Sequence, residues 1–217
     1  ESISTHGGNG GDGGGDQGAG GNGGAVLAWT DAPLFDDQRV IDTDGGDDVN
    51  LSAALTLGSV DSAGDFTINN ANAVNLGANI STNAGTNAGA ISITGPVTLG
   101  ANVALTTDAS GTDGSITFNN SLNADAAGNN RTFGLAAGGG NITLQNVGAS
   151  QNVQTFTVTS ANNLSLAAVQ TRSGGIGVTA TATTLNGALR TDGLAAAGNV
   201  LDRKSTRLNS SHITISY

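Results

Sequence analysis

The chain has 217 residues, with 17 acidic and 7 basic side chains for a formal charge of −10, 35 glycines, no cysteine, no methionine and 3% aromatic residues. That balance excludes disulfides and thiolate metal sites, and it disfavours nucleic acid and anionic membranes as partners. A core would have to be built mainly from Ala, Val, Leu and Ile, which suits many small stacked layers better than one large interior.

Taken in order, residues 1–24 read as a Gly-rich linker, since 7–24 carry 12 of the 35 glycines. Glycine loses much entropy on ordering and offers nothing to bury. Gly7-Gly8-Asn9-Gly10-Gly11-Asp12 fits the opening of a calcium-binding nonapeptide. The apolar residue that such a repeat needs is Gly14 here, and no second copy follows in register. Residues 25–48 read as an irregular acidic segment containing one short apolar strand, 25–29, with the only Trp, Trp29, and an interruption at Pro33. Within it Asp42, Asp44, Asp47 and Asp48 flank a glycine turn and form the one candidate metal site, an oxygen-rich loop of the kind calcium selects. The loop lacks the spacing and the distal Glu of an EF-hand, and a solvated acidic loop explains it as well. No other cofactor is expected.

From Val49 to residue 201 the pattern is continuous. Val49, Leu51, Leu55 and Leu57 alternate with small or polar residues, so one strand face is buried. Then D-F-T-I-N-N-A-N-A-V-N-L-G-A-N-I at 65–80 is echoed by G-A-I-S-I-T-G-P-V-T-L-G-A-N-V at 89–103, a spacing of about 23 to 25 residues. The apolar pairs continue as Ile116/Phe118, Phe133/Leu135, Ile142/Leu144, Phe156/Val158, Leu164/Leu166 and Ile176/Val178, and fade through Leu185, Leu189 and Leu194. Strands this short are unstable alone, but each can pair with its copy one repeat later. Three short strands per unit, stacked about 4.8 Å apart, make a parallel β-helix. Phe66, Ile91, Ile116 and Ile142 should then form one inner column. Thr67, Thr98, Thr117, Thr143 and Thr157 should point outward. A β-sandwich would also show many short strands, but near-identical V-x-L-G-A-N copies a full repeat apart and the scarcity of large aromatics argue against a gap between two sheets.

Residues 202–217, D-R-K-S-T-R-L-N-S-S-H-I-T-I-S-Y, look like a translated sequencing adapter, a non-native tail to be set aside in fold reasoning. Without it the chain keeps Arg39, Arg131, Arg172 and Arg190 against 16 acids, no Lys and one His, His6. The chain starts at Glu1 with no secretory signal, so a signal for export is expected elsewhere.

The repeat style, with G-S-I-T-F-N at 114–119 and G-N-I-T-L at 140–144, resembles the repeat regions of large bacterial exoproteins related to filamentous haemagglutinins and autotransporter adhesins. The resemblance covers about 49–200. It implies a right-handed β-helical shaft, secreted or displayed on the bacterial surface, and an outer-membrane transporter outside this stretch. The partners it implies are a host-cell, polysaccharide or biofilm surface. No transmembrane segment is expected.

Catalysis has little to work with. A lyase would need a basic residue by a carboxylate-bound calcium, and a nucleophilic triad would need a His inside the repeats. A glycosidase could draw its carboxylate pair from Asp61, Asp65, Asp108, Asp113, Asp125 and Asp192, but these sit in predicted turns, where Asp is an ordinary turn former. The expectation is therefore a non-enzyme, with a carbohydrate-active β-helix as the alternative. Thr179, Thr181 and Thr183 form a T-A-T-A-T run suggestive of an ice-binding array, although it does not recur coil after coil, and β-propensity explains it. The N-x-S/T sequons at Asn79, Asn130, Asn141 and Asn163 read as by-products of Asn at bends.

Overall fold

The computed structural model describes residues 65–69 and 73–191. Outside these it describes the strands Ser2–Ser4, Arg39–Asp42, Asp48–Leu51, Leu55–Thr56, Val200–Arg203, Leu208–Asn209 and Ile215–Ser216. The glycine-rich stretch 7–24, the apolar stretch 25–29, Pro33, Asp44, Asp47, Asp61, Asp192 and Leu194 lie outside the described residues.

Every strand pairing is parallel, and from Arg39–Asp42 onward consecutive strands of the chain lie in different sheets, so the chain winds as a parallel β-helix with three faces. Face one stacks nine strands. Its central six are Phe66–Asn69, Ile91–Ile93, Ile116–Phe118, Ile142–Leu144, Asn163–Leu166 and Ala182–Leu185. Face two runs through Ala73–Leu76, Val97–Leu99 and Leu122–Ala124, narrows to a single bridging residue at Val147, and resumes at Val169–Gln170 and Leu189–Arg190. Face three stacks Ile80–Ser81, Val103–Thr106, Thr132–Ala136, Thr155–Ser160 and Ile176–Thr179. The one helical element among the described residues is a single 3-10 turn, Ala127–Asn129.

The expected inner column is present. Phe66 pairs with Ile91, Ile91 with Ile116 and Ile116 with Ile142, and the column continues to Leu164 and Thr183. Parallel columns run through Val74, Val97, Leu122, Val147 and Val169 on face two, and through Ile80, Leu105, Leu135, Val158 and Val178 on face three. All of these apolar residues are buried. Each fully buried aliphatic or aromatic side chain is worth roughly 1.5–3 kcal/mol relative to exposure, so a column of them stabilises each coil only through its neighbours. Phe118 from face one meets Phe133 from face three at 5.8 Å between ring centroids, and Phe133 stacks on Phe156 at 6.2 Å. Three of the chain's five phenylalanines thus fill the middle coils.

Strand residues alternate because the pleat does. Strands such as Ile91–Ile93 and Ile116–Phe118 place two residues inward and one outward, and Thr67, Thr98, Thr117, Thr143 and Thr157 are the half-buried outward residues expected. The repeat spacing is less uniform than the 23 to 25 residues of the two echoing copies. Along face one the register advances by 25 residues from Phe66 to Ile91 and again to Ile116, but by 22 from Ile142 to Leu164 and by 19 from Leu164 to Thr183. The shortening falls at corners, where loops of different length connect strands that keep their pairing.

Described strands at both ends extend the stack. Ser2–Ser4 pairs with Arg39–Asp42, although the stretch 1–24 reads as linker. Val200–Arg203, Leu208–Asn209 and Ile215–Ser216 continue all three faces, although 202–217 reads as a tail to be set aside.

Candidate functional site

The polar chemistry of the described residues is concentrated at the corners, where main-chain pairing is interrupted. There Asn and Asp side chains do the pairing instead, each accepting from the backbone N–H of the next coil. Asp65 Oδ1 accepts from Ala90 N at 2.6 Å, Asn79 Oδ1 from Ala104 N at 2.8 Å, Asn87 Oδ1 from Thr112 N at 3.0 Å and Asn102 Oδ1 from Thr132 N at 3.0 Å. Side-chain carbonyls thus act as inter-coil clamps, satisfying donors that a bend would leave unmade. Two of the sequon asparagines belong to this set: Asn79, and Asn141, which accepts from both the backbone and the side-chain nitrogen of Asn163. Asn130 instead takes the left-handed conformation, φ 52°, that ends the 3-10 turn.

The corner from face three to face one is the most elaborate. Buried Thr82 and Thr107 each donate their hydroxyl to a glycine carbonyl seven residues on, Gly89 at 2.6 Å and Gly114 at 2.7 Å. These bonds close two lateral loops of equal length, 83–88 and 108–113, which stack through Ala88 N to Thr112 O and Gly111 N to Thr86 O. In the next coil, between Ala137 and Gly140, the loop is cut to 138–139, leaving a step on the rod. A Cβ placed on Gly138, φ 53°, would lie 2.5 Å from Asp113 Oδ2 and 2.9 Å from Asp108 Oδ1, so the step brings these two carboxylates together. Their oxygens are engaged by the corner itself. Asp113 accepts from Ala109 N at 2.7 Å and Gly139 N at 2.6 Å, and Asp108 Oδ2 accepts from the Ser160 hydroxyl at 2.9 Å.

A third feature is the loop between faces two and three at 125–131. Asp125 accepts from Arg131 Nε at 3.0 Å and Nη2 at 2.6 Å, and from Asn129 Nδ2 at 2.9 Å and Ala126 N at 2.8 Å. The Arg131 hydrogen bonds hold the Asp125 carboxyl well below the usual carboxylate range, and Asp125 in turn raises Arg131. The pair is partly exposed, so it fixes the loop more than it stabilises the rod.

The sequence candidates separate as follows. Asp108 and Asp113 converge; Asp65 lies on the same edge two coils earlier, where it accepts from Ala90 N, and Asp125 lies at the corner between faces two and three. Of the metal candidates, Asp42 ends the strand Arg39–Asp42 on face one and Asp48 begins Asp48–Leu51 on face two, so their backbones bracket one corner, while Asp44 and Asp47 lie outside the described residues. No group of three or more His, Cys, Asp or Glu side chains among the described residues is placed to hold a metal ion. The T-A-T-A-T run forms no array. Thr179 ends a face-three strand, exposed Thr181 lies at the corner, and Thr183 points into the core, because the bend between them shifts the alternation by one. Three of the residues expected to point outward, Thr67, Thr117 and Thr143, belong to one hydroxyl column of face one that also holds Ser92, Ser165 and Thr184; the sequence reading did not join them into a single column.

Comparison of the chain with family models, curated proteins and solved structures finds no match. Among the described residues, no helix is long and apolar enough to cross a membrane.

Proposed function

We propose that this chain is a non-catalytic structural segment of the β-helical shaft of a secreted or surface-displayed bacterial adhesin. The observation that supports the reading is the in-register inner column from Phe66 to Leu164, walled by parallel strands on three sides, which makes a rod. Its mechanical work is to extend and to present. Main-chain hydrogen bonds between coils run along the axis, so tension is shared by many parallel bonds, and corner loops such as 125–131 project sideways without disturbing the stack. In this reading an outer-membrane transporter exports the parent protein, and contact with a host-cell, polysaccharide or biofilm surface belongs to the displayed assembly.

The test is a graft. Put in place of the shaft repeats of a surface exoprotein, the chain should carry a terminal epitope to the cell exterior, where antibody reaches it on intact cells. An epitope found only in the periplasm would overturn the proposal.

The carbohydrate-active alternative is favoured by one observation, the convergence of Asp108 and Asp113 at the step. It requires the purified chain to release reducing ends or unsaturated uronates from a neutral or acidic polysaccharide, and to lose that turnover in Asp108→Asn and Asp113→Asn.

A further inference from the structure

Face one carries something that neither the shaft reading nor the corner chemistry uses. Its middle column holds a hydroxyl on every one of six successive coils: Thr67, Ser92, Thr117, Thr143, Ser165 and Thr184. Main-chain pairing sets the spacing of this column at about 4.8 Å, and the buried residue on either side of each hydroxyl fixes its direction. Across the six strands from Phe66–Asn69 to Ala182–Leu185 the outward columns that flank it hold only Ala, Ser, Thr, Asn and Gln, apart from Asp65; beyond them the strand Arg39–Asp42 sets Asp42 in register with Asn69. Several of these side chains are tied along the axis. Asn119 donates to Thr94 Oγ1 at 3.2 Å, Asn163 to Asn141 Oδ1 at 2.9 Å and Asn186 to Ser165 Oγ at 3.2 Å. Over the five coils from Ser92 to Thr184 the face is therefore uncharged, periodic and held in place.

Three occupants can be weighed on physical grounds. A second copy would share only about 16 Å by 24 Å, on the order of 400 Å² per partner, against the roughly 800 Å² of a stable interface. A neutral glycan normally needs an exposed aromatic ring to stack on, and Phe66, Phe118, Phe133 and Phe156 are all buried. A water lattice needs neither large area nor aromatic rings. It needs rigid donors and acceptors at a regular repeat, no charge to impose a competing hydration shell, and methyl groups between the hydroxyls. Thr67, Thr117, Thr143 and Thr184 supply both hydroxyl and methyl.

We propose that face one is an ice-binding surface, with the threonine and serine column Thr67 to Thr184 as its anchoring row. The site is distinct from the T-A-T-A-T run, whose Thr183 is buried. The proposal does not depend on the adhesin reading, since a shaft could be exported with or without it.

The experiment measures thermal hysteresis and ice recrystallisation in buffer seeded with pure ice. The purified chain should halt crystal growth over a measurable freezing gap, and Thr117→Lys with Thr143→Lys should abolish that gap while the strand-rich circular dichroism and melting midpoint are kept. Because two lysines could disturb the fold, Thr117→Val with Thr143→Val is made in parallel; it keeps β-branched shape, removes the hydroxyls and should reduce the gap several-fold. Thr157→Lys, outward on face three between Gly134 and Gly177, is the control and should leave the gap unchanged. Absence of any gap in the parent chain would overturn the proposal, as would equal loss in the face-three control. A mass that doubles with concentration and reverts in the lysine variant would assign the face to a second copy instead. Retention on a neutral glycan column that the valine variant loses would likewise assign it to sugar.

Discussion

Replacing Gly114 by alanine tests the architecture at its tightest point. Gly89, Gly114 and Gly140 stack at the corner between faces three and one, all buried. A Cβ on Gly114 would stand 1.9 Å from Gly89 O, 2.5 Å from Gly89 C and 3.0 Å from Ala90 N. Since carbon and oxygen need more than 3 Å, the coils would have to part by over an ångström. They are held by the Thr82 hydroxyl on that same Gly89 oxygen and by Ala88 N on Thr112 O. The obstructing atoms are backbone, so no rotamer change relieves the clash. Overpacking of this kind costs about 3 kcal/mol or more, which lowers the midpoint of a chain of this size by roughly 6–12 °C. The comparison is Gly134→Ala, in the middle of a face-three strand, where a Cβ would meet nothing nearer than Ala104 Cβ at 3.9 Å. That change relieves the entropy cost of a strand glycine and should stabilise by about 0.5–1 kcal/mol. Thermal and urea unfolding followed by circular dichroism measures both. If Gly114→Ala melts with the parent, the stacked-glycine corner, and with it the coil spacing on that edge, is wrong.

Other perturbations probe other parts of the rod. Thr183 occupies the rung held by Ile142 and Leu164 in preceding coils, with its hydroxyl buried and without a hydrogen-bond partner; Thr183→Val should stabilise by about 1–2 kcal/mol, read as a higher urea midpoint. Asp125 has a folded pKa below its unfolded value of about 3.9, so the stability it contributes is present above that value and is lost as pH falls through and below pH 4. In Arg131→Gln its carboxyl titration, followed by carbon NMR, should move up toward the ordinary range; an unmoved titration would refute the pairing. Excision of residues 91–115, one whole coil, should leave a folded rod about 4.8 Å shorter by X-ray scattering, whereas excision of half that length should not fold.

Much of the rod was legible because burial leaves an alternating trace. Phe66, Ile91, Ile116 and Ile142 could be placed in one column before any coordinate, since each opens an apolar-x-apolar triplet and only a solenoid brings such triplets together at that spacing. The corners were less legible. Asp65 and Asn79 look like turn formers, and the partner that explains them is a backbone N–H 25 residues away, which has no side-chain signature. Asp108 and Asp113 are five residues apart in a loop, and their convergence depends on Gly138 and Gly139 of the following coil. The burial of Thr183 was not legible, because period-2 reasoning carries no information about a bend, and the bend at Thr181 reverses which side of the strand faces inward.

The loop at 125–131 bears on how such a rod can change. It lengthens the path between Val103 and Phe133 to 30 residues where the preceding coil uses 25 between Ile80 and Leu105, and yet face one registers Ile116 against Ile142 without a break. Corners therefore behave as tolerant splice points. Peptide cargo introduced at Gly128 would hang from the side of a scaffold that neither shifts phase nor lengthens, so sequence at this edge is free to diversify while the framework behind it stays constant.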